Sequence, residues 1–304
     1  MIRRTIFPFT LALAVPCGCD PAASPPSNVV RIFGGVGLNN GLFSYPRAIA
    51  AERTDSVFVV DKSGRVQRFA RDGRFETSWS MPETAKGKPV GLAVHPDGRI
   101  FVADTHYHRI MIYDRDGNFL GSFGSEGMGD GQFQLPTDVA FDRAGFIYVS
   151  EYYGNDRVTK WSPDLTFIKA FGDEPIHGER LSRPVGLVVD DEETIWVADA
   201  CHHRLVRFDS EGRVLNAFGE FGDNPGQMRY PYDLSMSPDG TLLVCEYEGA
   251  RLQWFTKDGR SVRLWGRHGR KPGELFAPWG ATYGPGGCIY VCDSLNSRIQ
   301  VLQP

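Results

Sequence analysis

With 304 residues, 41% of them hydrophobic, the chain is long enough to bury a large core and is not a disordered composition. A formal net charge of −4 at pH 7 offers no general attraction to a polyanion, which argues against nucleic acid as a partner. Its 35 glycines and 20 prolines are spread as regular punctuation, which excludes a low-complexity chain.

In chain order, the first segment reads as processing sequence rather than fold. Arg3 and Arg4 precede an apolar run, Ile6 to Val15, too short to span a bilayer and suited to the core of an export signal. Cys17-Gly18-Cys19-Asp20 resembles the lipobox of bacterial lipoproteins, in which cleavage precedes a cysteine that carries the lipid. Gly18 suits the position before Cys19, whereas Pro16 departs from the pattern. Residues 1–19 are therefore assigned to signal and lipobox, with Cys19 lipidated, and residues 20–28 to a Pro/Ala/Ser-rich tether. Plain secretion is the alternative. Either way the expectation is an exported monomer on the periplasmic or outer side of a bacterial membrane, touching lipid only through its anchor.

From residue 29 the chain repeats. An acid closes one apolar run, and an arginine four to six residues later opens the next. The copies are Asp61 and Arg65, Asp104 and Arg109, Glu151 and Arg157, Asp199 and Arg204, Glu246 and Arg251, and Asp293 and Arg298, at a step of 43 to 48 residues. Both runs are short, β-branched and aromatic, as strands are, so each copy predicts a hairpin. A carboxylate facing a guanidinium across the hairpin mouth is expected to pair through two parallel hydrogen bonds, a structural role.

Around this hairpin each unit adds an inner and an outer strand. The inner one follows a proline (Pro46, Pro89, Pro136, Pro184, Pro231, Pro278) and ends in a turn such as His95-Pro-Asp-Gly98. The outer one, such as Phe119 to Phe123, leads into a connector. Phe33 to Pro46, Phe123 to Pro136, Phe171 to Pro184, Phe218 to Pro231 and Trp265 to Pro278 each span fourteen residues, but Trp79 to Pro89 spans eleven. Val29 to Phe33 is an outer strand without a unit before it, and the sixth unit stops at Leu302 without an outer strand. Each completes the other. The prediction is an all-β, six-bladed propeller of four-stranded blades over residues 29–304, closed by the N-terminal strand.

Pro89-Val-Gly-Leu-Ala-Val94, Pro96-Asp-Gly98, Ile100-Phe-Val-Ala-Asp104 and His108-Arg-Ile110 resemble NHL repeats, and the resemblance extends over residues 29–302. It implies the propeller and leaves activity open. Propellers of this family serve as protein-binding scaffolds, RNA-binding modules, extracellular sensors and amidating lyases, and fold does not fix function.

The repeats act as their own control: a slot filled alike in all blades is structural, and an uneven slot marks a site. The second residue after proline is Ala48, Gly91, Asp138, Gly186, Asp233 and Gly280, so two blades alone place a carboxylate there. The same blades use glutamate in the hairpin, Glu151 and Glu246, each followed by tyrosine, Tyr152 and Tyr247. The residue directly after proline puts Tyr232, Trp279 and Arg47 on consecutive blades. These residues predict an axial pocket with carboxylates, an arginine and an aromatic wall. Asp138 and Asp233 either hold a hard cation such as Ca²⁺ or pair with Arg47 or the hairpin arginines. Tyr232 and Trp279 either pack or face a sugar or peptide.

The histidines point less clearly to chemistry. The family's amidating lyases use channel histidines for zinc, yet the post-proline slots here hold none, and His108 and His203 occupy the pre-arginine slot that the family pattern favours. Cys245 and Cys292 share a slot that holds small residues elsewhere, and no spacing calls for zinc. The expected function is a scaffold binding a protein or extended ligand at the connector face. The alternative is a metal-assisted lyase or lactonase-like hydrolase in the axial pocket.

Overall fold

The computed structural model describes residues 28–52, 55–176 and 178–303. The signal, lipobox and nearly all of the expected tether lie outside the described residues. Six four-stranded antiparallel sheets stand around one axis. Blades 1 to 5 run in chain order from inner to outer strand, beginning at Pro46, Gly91, Leu135, Pro184 and Pro231. Blade 6 is composite: Gly280–Tyr283, Ile289–Asp293 and Arg298–Leu302, then Val29–Gly34 as its outer strand. Val29 pairs with Leu302 and Gly34 with Arg298, so the ring closes by the N-terminal strand. Asn28 extends the clasp, donating to the Gln303 carbonyl and accepting from Trp265 Nε1 at 2.8 Å.

Each sheet packs both faces against its neighbours, and for that reason the second strand of each blade is a nearly continuous apolar run rather than an alternating one. Ile100–Asp104 and Ile195–Asp199 are buried at every residue. Six apolar clusters, one per blade boundary, form the core. A seventh, around Val185, Ala200 and Tyr232, lies at the axial mouth. The turns follow the proline–glycine tetrads: Gly98 N donates to the His95 carbonyl at 2.9 Å, with Gly98 at φ +93°, a conformation side chains oppose.

The acid–arginine pairs form in all six blades, but not as parallel forks. In blades 2 to 6 the arginine Nε meets one carboxylate oxygen at 2.6–2.9 Å. In blade 1 the contact is through Arg65 Nη2 at 3.4 Å. The arginine's remaining donors turn outward to backbone carbonyls of the incoming connector, as Arg204 does to Ile176 and Arg251 to Gln227. The acid in return accepts a connector N–H two residues before the blade's proline, from Ser44, Gln134, Ser182, Arg229 and Phe276, at 2.6–3.0 Å. The connector competes for the fork, because its backbone groups are buried and must be satisfied. Blade 2 shows the rule by exception. Its shortened connector delivers no amide, Asp104 Oδ1 is left buried without a partner, and Glu83 takes the free arm of Arg109 at 2.8 Å.

Candidate functional site

The inner strands converge on the axis, where space dictates the residue types. In blades 1, 3, 4 and 5 the register slips by a β-bulge just after proline. A bulge re-aims a side chain. Arg47, Thr137, Val185 and Tyr232 occupy these slipped positions and line the channel with Val90 and Trp279. One residue further in, the slots alternate Ala48, Gly91, Asp138, Gly186, Asp233, Gly280. A Cβ on Gly91 would stand 2.0 Å from the Thr137 carbonyl oxygen, and one on Gly186 would stand 2.7 Å from Asp233 Cα. Alternate blades must therefore be bare so that their neighbours can carry a side chain.

Asp138 and Asp233 occupy that innermost ring, half-buried and within electrostatic range of each other. Neither pairs with Arg47 or a hairpin arginine. Each instead accepts a backbone N–H from the following blade: Leu187 N to Asp138 Oδ2 at 3.1 Å and Ala281 N to Asp233 Oδ2 at 2.9 Å. Burial, then repulsion from Asp233, raises the Asp138 pKa well above the carboxylate range. Burial pushes Asp233 up to about 7. Burial and mutual repulsion both favour the neutral form in such a pair. Glu151 and Glu246 stand apart from it, their oxygens engaged by Arg157 and Gln134 and by Arg251 and Arg229.

The free space between the inner strands is about 20 Å³, room for a single water. Calcium needs six to eight oxygen ligands. Two protonatable carboxyls, each turned to a backbone N–H, do not provide that set. Among the described residues no group of three or more His, Cys, Asp or Glu gathers at metal-binding distance.

Above this neck the channel opens into an aromatic cup of about 270 Å³ lined by Arg183, Tyr230, Tyr232, Tyr247, Glu248 and Trp279. Tyr232 and Trp279 have ring centroids 4.8 Å apart, and Tyr247 lies 5.5 Å from Tyr232. Tyr45 meets Trp279 edge-on at 5.6 Å. Arg47 lies 4.9 Å over the Trp279 ring, and Arg183 lies 5.0 Å from Tyr152 and 5.6 Å from Tyr230. Slot comparison after proline reaches Arg47, Tyr232 and Trp279, but Tyr45, Arg183 and Tyr230 sit in the slot before it. All three adopt left-handed φ, from 57° to 58°. Proline disfavours the helical region in its predecessor, and tyrosine and arginine rarely enter the left-handed one. The uneven filling of that slot was the available signal.

The paired histidines belong to this scaffolding. His203 Nδ1 accepts the Tyr230 N–H at 3.0 Å, and His108 Nδ1 reaches the Gln134 carbonyl, so each ties a hairpin to the next connector. Both hold left-handed φ, 54° and 56°. Cys245 and Cys292 are fully buried and, like Cys201 and Cys288, unpaired.

The NHL repeat model matches residues 87–113 and 181–208, the first three strands of blades 2 and 4. The chain is a six-bladed β-propeller that carries NHL repeats. Protein brain tumor of Drosophila melanogaster is 35% identical over 130 residues, covering 42% of this chain and 12% of that protein. Peptidylglycine alpha-amidating monooxygenase of Rattus norvegicus is 33% identical over 92 residues, 28% of this chain and 9% of that one. NHL repeat-containing protein 3 of Mus musculus is 26% identical over 172 residues, 51% and 49% of the two chains. The chain thus spans only 9–14% of the length of the first three curated relatives it matches. Among solved structures, a streptogramin B lyase superposes with a TM-score of 0.66 at 16% identity, covering 90% of this chain and 97% of that one. At that identity the likeness is one of fold.

Proposed function

We propose that this NHL propeller is a binding scaffold, exported and held at a membrane surface by a lipid on Cys19, that takes a protein or extended ligand at its connector face. One observation carries the reading: blades 4, 5 and 6 direct Arg183, Tyr232 and Trp279 into one open cup, and blade 1 sets Arg47 at the neck beneath it, where blade 2 has only Val90. Rigid aromatic rings stacked with arginine, grouped at a depression, are the residue types that dominate binding energy at interfaces. The connectors around the cup add exposed apolar tips, Val36 at 82%, Leu38 at 68%, Met128 at 58% and Phe221 at 56%. The relatives named NHL repeat-containing protein 3 and brain tumor are consistent with a repeat used for binding.

The test is affinity capture with the whole propeller and with Trp279→Ala. The expected result is a partner whose binding weakens by about 2 kcal/mol or more in the variant. Identical capture by both proteins would remove the cup from the reading. An enzyme in the same channel, a lyase or lactonase-like hydrolase, is the competing reading, raised by the likeness to an amidating monooxygenase. It gains if the purified protein carries stoichiometric Ca²⁺ or Zn²⁺ that Asp138→Asn with Asp233→Asn removes.

A further inference from the structure

Arg47 and Arg183 rise from blades 1 and 4, on opposite sides of a six-membered ring, and both approach Tyr232. Arg183 Nη2 donates to the Tyr232 hydroxyl at 3.4 Å. The Nε of each arginine is buried without a hydrogen-bond partner, and neither arginine forms an ion pair among the described residues. The hairpin arginines of all six blades do form one. A guanidinium withdrawn from water against aromatic rings, with donors unmet, is complementary to an oxyanion.

The surroundings narrow the kind of anion. Glu248 lines the cup and is exposed, while Asp138 and Asp233 lie in the neck below. The Glu248 carboxylate opposes a doubly charged phosphate more than a singly charged carboxylate. The neck, at about 20 Å³, is too narrow for a chain to thread, whereas the cup of about 270 Å³ takes one residue-sized body. We propose that the axial mouth is a carboxylate-binding site, in which Arg183 in the cup and Arg47 at the neck beneath it hold the carboxylate of a ligand whose aromatic or apolar body lies against Tyr232 and Trp279. The source is a peptide chain end or a small free acid, which share this chemistry. The inference deepens the scaffold reading and rests on it.

The experiment compares N-acetylphenylalanine with its amide, by calorimetric titration of the whole propeller. The acid is expected to bind at least about tenfold tighter than the amide. Arg47→Gln and Arg183→Gln are expected to erase that preference at an unchanged unfolding midpoint. Should a variant unfold, the acid–amide comparison on the unaltered protein still decides. Equal binding of acid and amide, no binding of the acid in the millimolar range, or a preference that survives both substitutions would overturn the proposal. Tighter binding of N-acetyl-diphenylalanine would identify a chain end, and equal binding of 3-phenylpropionate a small acid. Trp279→Ala that loses a captured partner, with no acid–amide difference, would keep the scaffold reading and remove the carboxylate.

Discussion

Asp138 and Asp233 couple folding to protonation. In the unfolded chain an aspartate titrates near 4. In the ring Asp233 titrates at about 7 and Asp138 is also raised, both chiefly through burial. Between those values the folded protein binds more protons than the unfolded one, so stability falls as pH rises. It is fully present below about pH 4 and is lost as pH passes through about 7. Asparagine mimics the neutral acid and can still accept the Ala281 N–H. Asp233→Asn is therefore expected to flatten the decline and to raise the unfolding midpoint at pH 8 above that of the unaltered protein. An unchanged pH profile in the variant would mean that these carboxyls are charged in the fold. At this scale the sequence located Arg47, Asp138, Tyr232, Asp233 and Trp279 on one ring. It did not show that Asp138 and Asp233 would turn to backbone amides of the following blade, since a carboxylate's partner depends on which unpaired N–H the neighbouring strand presents.

The inner strands form a ring in which bulk alternates. Gly91→Ala would drive a methyl against the Thr137 carbonyl oxygen, 2.0 Å away on another blade's backbone. That contact cannot be relieved by a rotamer change. The expected cost is about 3 kcal/mol, at the upper end of overpacking penalties, read from urea midpoints. Gly121→Ala is the control. It lies in an outer strand with nothing within 4 Å of a Cβ, and alanine should be neutral or mildly stabilising there. Equal effects at both positions would contradict the crowding. Strands and turns were legible because short β-branched apolar runs, proline and Pro-Asp-Gly act locally. The geometry of the acid–arginine pairs was not, because a hairpin taken alone predicts a fork. Only the packed connector, with its own carbonyls to satisfy, draws the outer arginine nitrogens away.

The whole molecule depends on one non-local pairing. Fourteen-residue connectors, a stray leading strand and a missing trailing one made the closed ring readable, and Val29 meets Leu302 as that count requires. Removing residues 29–34 would leave Arg298–Leu302 as an open edge with apolar residues on both faces. The truncated protein is expected to self-associate in size-exclusion chromatography and to unfold at lower temperature. A monomer of unchanged midpoint would show that the clasp is dispensable.

That clasp also sets a schedule for synthesis. The two strands it joins are the first and last parts of the propeller to leave the ribosome, about 270 residues apart. At translation rates of roughly 5–20 residues per second the leading strand waits on the order of tens of seconds for its mate. During that interval Val29 and Phe33, which the closed ring packs against its core, are available to any chaperone or neighbouring nascent chain that reaches them first.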